Sequence, residues 1–292
     1  MMRSDPSPEV QSLTCGEPPE TVCTVRGFCL SNYLTSISAL STSQGQARTI
    51  ISATRFDGLS KPRLLDAYSG EGGATRGYMD AGFEVTAVDI SRKALSHNPA
   101  PRRYVADAIR FIRDHGAEYD LIHTSPPCQR YTRGTAAIDR SGYPDLIEQT
   151  RWVLEDVGRP FIIENVQDAR AHLHEPTLLC GTMFGMVVAD DDGRLMHLRR
   201  HRLFETTFDL QAPRGCHHKI TRQVGGAYGG ARRDKDEARL VRKGGYVPSV
   251  AVLRKMMGNL YSMSQEGIFE CIPPVYAEWI GRAWLRTTTP VA

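Results

Sequence analysis

The segment Thr124-Ser125-Pro126-Pro127-Cys128-Gln129 holds the residue best suited to covalent chemistry. Two prolines fix the backbone just ahead of Cys128, so its thiol is expected at a rim rather than folded into a core. A thiolate is a strong nucleophile near neutral pH and needs only a modest pKa depression. Downstream, Ile163-Glu164-Asn165-Val166 brings a carboxyl that can hold or donate a proton, a role helped if burial raises its pKa. Read singly, Cys128 is equally a core cysteine and Glu164 an ordinary helix-start acid. Together they suit addition to an electron-poor ring, with thiolate attack at one carbon and a proton steadied on a ring nitrogen.

The elements that must position them follow a strand–turn–helix pattern from Pro62 onward. Short apolar strands are predicted at Arg63–Ser69, Phe83–Ile90, Arg103–Ala106, Tyr119–Thr124 and Pro160–Glu164, alternating with helical stretches. Such alternation implies βαβ units: an α/β fold with a doubly wound, mostly parallel sheet. Ser91 is the expected cap of the helix after the second strand. Met183–Val188 and Leu195–Phe208, separated by Asp190-Asp191-Asp192-Gly193, read as a hairpin, and Pro273–Leu285 reads as a closing helix. Cys128 and Glu164 then sit at the ends of the fourth and fifth strands.

The ends of the first three strands carry a different set. The first runs into Asp66-Ala67-Tyr68-Ser69-Gly70-Glu71-Gly72-Gly73, a glycine turn that lets a ligand approach the backbone. It lacks the full dinucleotide fingerprint and no Lys-Ser/Thr follows for a phosphate loop. Asp89 ends the second strand, where an acid can accept from both ribose hydroxyls, and Asp107 follows the third, placed for an adenine amino group. Each acid alone is more often a helix cap. At three successive strand ends they fit an adenosine-containing ligand without a pyrophosphate.

Carbon 5 of cytosine is a target that needs both halves. It is not nucleophilic until a thiolate adds to carbon 6. It then accepts an electrophilic methyl, a base removes its proton, and the cysteine leaves. In order and spacing, Asp66–Gly73, Pro126-Pro127-Cys128-Gln129, Glu164-Asn165-Val166, Arg200-His201-Arg202-Leu203-Phe204 and Gly258-Asn259 with Pro273–Ile280 resemble the motifs of the cytosine carbon-5 methyltransferase family. The resemblance spans Arg63 to Leu285, apart from the segment between the paired arginines and Gly258.

That resemblance implies a Rossmann-like fold of the S-adenosylmethionine-dependent methyltransferase type with a small inserted target-recognition module. It implies S-adenosylmethionine as cofactor, with Asp66, Gly70, Gly72, Gly73 and Pro126 bordering it and Tyr68 packing against it. Asp89 would hold the ribose, Asp107 the adenine, and Asn259 would close the methionine end. Cys128 would be the nucleophile, Glu164 would contact N3, and Arg202 with Arg200 would steady the cytosine and its loop. Three positions depart from the family pattern. Leu198 stands where a Gln is usual, Ile90 where an aromatic often stacks on adenine, and Ser125-Pro126-Pro127 replaces Gly-Phe-Pro. The last variation also occurs in the branch that methylates transfer RNA.

Composition and charge bound the remainder. Of 292 residues, 41% are hydrophobic and 24% charged, which is ordinary for a globular chain. No apolar run reaches the roughly 18 residues of a membrane span, and no leader pattern stands at the N-terminus, so a cytoplasmic place in a bacterial or phage-infected cell is expected, with a nucleoid-associated substrate. From Arg194 to Lys255, fifteen Lys and Arg face five Asp and Glu, a local +10, which leaves −7 for the remainder of a chain whose net charge is +3. Such asymmetry fits a polyanion.

The domains expected are an N-terminal extension over 1–60 with a short helix around Gly27–Leu40, a catalytic domain over 61–208, a basic module over 209–255, and a closing segment over 256–292. Gln129, Arg232, Arg233, Arg242 and Lys243 are the nucleic-acid candidates. Double-stranded DNA is the expected partner and RNA the alternative. A monomer is expected, with a companion restriction endonuclease as a candidate partner. Seven cysteines in no paired spacing exclude a disulfide framework, and Cys216-His217-His218 lacks a fourth ligand, so no metal is expected. An amino-group methyltransferase would place an aromatic where Cys128 stands. A non-catalytic DNA-binding protein would not need every catalytic position filled.

Overall fold

The computed structural model describes residues 11–12, 60–131, 145–217, 224–227 and 246–288. The first half comprises β1 (Gln11–Ser12), β2 (Arg63–Ala67), α1 (Gly73–Asp80), β3 (Glu84–Asp89), α2 (Arg92–His97), β4 (Arg102–Val105), α3 (Ala108–His115), β5 (Leu121–Thr124), α4 (Leu146–Val157) and β6 (Phe161–Val166). There follow β7 (Thr177–Leu179), β8 (Val187–Ala189), β9 (Leu195–Leu198), β10 (Arg202–Thr206), β11 (Val224–Gly225), α5 (Val250–Met256), α6 (Gln265–Glu270) and α7 (Pro274–Thr288).

The main sheet runs β1-β4-β3-β2-β5-β6-β10-β7. From β4 to β6 every pairing is parallel, whereas β10 lies antiparallel to both β6 and β7. Neighbouring residues in each central strand point to opposite faces, and each face has its own core. Leu64, Leu121, Ile162 and Phe204 pack with Tyr78 of α1 and Tyr276, Ile280 and Trp284 of α7. Leu65, Ile122, Ile163 and Leu203 pack with Phe111 and Ile112 of α3 and Ile147 and Leu154 of α4. This is the doubly wound, Rossmann-like α/β architecture predicted from the strand–helix alternation. Strand order reverses between β2 and β5, so a crevice opens beyond their carboxyl ends. Both sets of candidate residues lie around that crevice.

Some expectations change. Gln11 and Ser12 pair antiparallel with Val105 and Tyr104, giving the edge strand a partner within the extension read as poorly ordered. The rest of 1–59, with the short helix expected around Gly27–Leu40, lies outside the described residues. The single long strand expected over Leu195–Phe208 is two strands. β9 pairs with β8 in a small separate sheet, and β10 inserts into the main one. The break falls at Arg199-Arg200-His201, because Arg200 turns inward and is fully buried. No described helix is long and apolar enough to cross a membrane.

Candidate active site

The catalytic rim is assembled by three adjacent strand ends. Thr124, the last residue of β5, donates its hydroxyl to the Ile162 carbonyl at 2.9 Å and so fixes the point where the Pro-Pro-Cys loop departs. Asn165, at the end of β6, donates its side-chain amide to the Pro126 carbonyl at 2.9 Å. That bond ties the loop of Cys128 to the strand of Glu164, which gives the Asn of Glu-Asn-Val a definite task. A turn then closes from the Tyr131 amide to the Cys128 carbonyl at 2.9 Å, and the Tyr131 hydroxyl donates to Asp145 at the start of α4. Cys128 is partly exposed.

Glu164 is only 7% exposed. Its Oε1 lies 3.0 Å from Arg202 Nε, an ion pair across β6 and β10, yet Oε1 receives no aligned hydrogen bond. The antiparallel register sets this up: Arg202 is opposite Val166 and Phe204 opposite Glu164, so Arg202 enters the rim at the start of its strand. Removing one member of such a buried pair costs about 3–5 kcal/mol, because the other charge is left without compensation.

Arg200 does not join this pair, which corrects its expected role. It is fully buried, and its guanidinium donates to the carbonyls of Ala227 and Phe269, while its own carbonyl accepts from the Tyr276 hydroxyl at 2.8 Å. Its guanidinium joins the start of β10 to the segment after β11 and to α6, and its backbone carbonyl adds the link to α7. A second buried pair supports the rim from below. Arg151 of α4 meets both carboxylate oxygens of Glu205 on β10 at 2.8 Å and donates to the His172 carbonyl.

The cofactor rim is built from carboxylates that bind the chain's own backbone. Asp89 accepts from the Gly70 amide at 2.9 Å and the Ser91 amide at 2.8 Å, so one side chain holds the glycine turn and starts α2. Ser91 caps that helix as expected, accepting from the Ala94 amide. Asn98, which the sequence did not single out, donates to the Gly70 carbonyl and to Thr75. Glu71, also missed, accepts from both the amide and hydroxyl of Ser264 at 2.7 and 2.5 Å, drawing the α5–α6 loop to the glycine turn. Asn259 stands in that loop, exposed, with a left-handed φ of 62°.

Asp66 is the other correction. It is wholly buried, accepts from the Thr75 hydroxyl at 2.5 Å and sits 2.9 Å from Nδ1 of His123, so it shapes the turn from beneath. Gly73 serves packing as well, since a Cβ there would strike the Ile272 carbonyl ahead of α7, and Gly72 lies against Asn98 and Pro99. Gly70 has a left-handed φ of 52°, and open space lies where a Cβ would stand.

The groups around this turn fit an adenosine-bearing ligand. Tyr68 takes a left-handed φ of 57°, rare for an aromatic residue, and its hydroxyl hydrogen-bonds Thr150 of α4 at 3.1 Å. Burial pushes the Tyr68 hydroxyl above its ordinary pKa, and the Asp107 carboxylate adds to that rise. Asp107 itself caps α3 through the Arg110 amide using one oxygen, and is exposed. Ile90 is 78% exposed beside Asp89, an apolar wall left uncovered at the tip of β3. Pro126 is buried under the same crevice and Gln129 is exposed next to Cys128. Arg232, Arg233, Arg242 and Lys243 lie outside the described residues.

The structure also gathers three residues that no motif connects. Cys180 follows β7, His201 precedes β10 and Cys216 follows β10, and their sulfur and ring-nitrogen atoms all lie within 4.8 Å of one another. The sequence reading weighed only Cys216-His217-His218; partners from two other segments could not be found by local spacing.

No family model matches the chain, and no curated protein matches it. Among solved structures, a prophage methyltransferase of E. coli, assigned provisionally to DNA modification, is 14% identical over 77% of this chain and 99% of its own, with a TM-score of 0.48. The Dnmt2 methyltransferase of S. pombe is 15% identical over 78% of this chain and 100% of its own, also at 0.48. The methyltransferase EhMeth of Entamoeba histolytica is 11% identical over 80% and 100%, at 0.47.

Proposed function

We propose that the chain is a DNA (cytosine-5-)-methyltransferase that uses S-adenosylmethionine, with Cys128 as nucleophile. The observation that carries this reading is the Asn165–Pro126 bond. It couples a partly exposed cysteine to a buried carboxyl already paired with an arginine, beside strand ends that carry Tyr68, Asp89, Ile90 and Asp107.

When bound, S-adenosylmethionine would supply an electrophilic methyl group. The protein does the rest. The Cys128 thiolate forms a bond to carbon 6 of an extruded cytosine, and electron density moves to carbon 5. Glu164 holds a proton at N3, and Arg202 keeps the carboxyl pointed there while offsetting its charge. A dry setting strengthens both interactions. Once carbon 5 carries the methyl, loss of its proton expels Cys128 and restores the ring. Extruding the base costs about a few kcal/mol, offset by phosphate contacts that the basic segment 194–255 would provide.

The test uses duplex DNA and transfer RNA containing 5-fluorocytosine, in which carbon 5 has no proton to lose. A covalent complex at the peptide bearing Cys128, formed with DNA and only in the presence of cofactor, is the expected result. Trapping on RNA alone would move the substrate to RNA. Methyl transfer to an exocyclic amine, or full turnover by Cys128→Ser, would overturn the reading.

A further inference from the structure

Among the described residues, Cys180, His201 and Cys216 form a cluster of soft ligands separate from the catalytic rim. We infer that they hold a structural zinc ion, which staples the entry of β10 to the end of β7 and to the first part of the basic module. Zinc distances of about 2.3 Å to sulfur and about 2.0–2.1 Å to nitrogen make tetrahedron edges of about 3.5–3.8 Å. His201 Nε2 already lies 3.5 Å from Cys216 Sγ. The other pairs need only small side-chain adjustments, since none exceeds 4.8 Å.

The surroundings are arranged as a zinc site requires. His201 Nδ1 lies 2.8 Å from Gln167 Oε1, an atom that can only accept. The ring proton is thereby fixed on Nδ1, and the Nε2 lone pair is turned toward the sulfurs. The Thr182 hydroxyl lies 3.5 Å from Cys180 Sγ and 3.4 Å from Cys216 Sγ, and accepts from the His217 amide at 3.2 Å. It is thus placed to donate to a thiolate. Cys180 is fully buried, so two thiolates here would be costly without a cation between them. Binding displaces both thiol protons to solvent and leaves a tetrahedral position open.

The position gives the ion a purpose. Gln167 immediately follows the Glu164-Asn165-Val166 strand end, and His201 immediately precedes Arg202. The ion would therefore hold both flanks of the Glu164–Arg202 pair from outside the reaction, a role independent of which base is methylated.

Metal content of the full chain, purified with reductant after growth with zinc, tests this. About one zinc per chain is expected, falling severalfold in Cys180→Ser and Cys216→Ser but not in the control Cys271→Ser. Cobalt in place of zinc should give a thiolate-to-cobalt charge-transfer band in the near ultraviolet. Gln167→Ala keeps all three ligands and should weaken zinc by about tenfold against a chromophoric chelator. Folded wild type without zinc or a cobalt band, equal zinc in Cys216→Ser, or a Cys180–Cys216 disulfide in the metal-free protein would each overturn it.

Discussion

The two halves of the crevice are built on opposite plans. Around β2, β3 and β4 the carboxylate and amide side chains at the strand ends already bind the chain: Asp89 on Gly70 and Ser91, Asn98 on Gly70 and Thr75, Glu71 on Ser264, Asp107 on Arg110. Around β5, β6 and β10 a buried carboxylate oxygen has an ion-pair neighbour but no aligned hydrogen bond. Side chains held in this way form a receptor whose shape is set before anything binds. An unsatisfied rim stores polar capacity that an incoming ring can complete, and full pairing would leave it nothing to offer.

Damage to the two halves should therefore differ in kind. The largest effect is expected from Cys128→Ala, which should abolish methyl transfer, by about a thousandfold or more, while cofactor affinity measured by calorimetry stays within about twofold. Glu164→Gln should follow, lowering kcat by about 10²–10⁴ with little change in cofactor KM. Asn98→Ala strikes the other half. It removes the side-chain donor to the Gly70 carbonyl and leaves Thr75 with Asp66 alone, and should weaken cofactor binding by about 5- to 150-fold, for a loss of about 1–3 kcal/mol, with kcat at saturation nearly kept. If Asn98→Ala instead lowered kcat alone, the receptor description of that half would fail. The smallest effect concerns reactivity. Packing pushes the Cys271 thiol up to about 11, so at pH 8 it stays protonated. Peptide mapping after brief alkylation at that pH should find Cys128 labelled and Cys271 not.

Much of the fold was legible because the five parallel strands are short apolar runs whose period and glycine turns carry local meaning. Tyr68, Asp89, Asp107, Cys128 and Glu164 were found at strand ends because topology alone brings such ends to one crevice. What was missed depends on distant partners. Glu71 and Asn98 look like any surface polar residues until Ser264 and Gly70 are beside them. Arg200 and Arg202 share one short motif, yet β10 sends one into the interior and the other to the rim. Asp66 reads like a strand-end acid, but its side chain points beneath the turn toward His123. Cys180, His201 and Cys216 come from three segments joined only by packing.

Two pairs of residues far apart in the sequence are pinned to one another beside the candidate site. Gly226 donates to the Tyr246 carbonyl at 2.8 Å, and Gly225 bridges Tyr246, so the stretch between them begins and ends at one point. Tyr131 and Asp145 close the stretch after Cys128 in the same manner. Each pair of contacts is made by residues on the folded flanks, so the strand ends beside them are held in register by the flanks themselves.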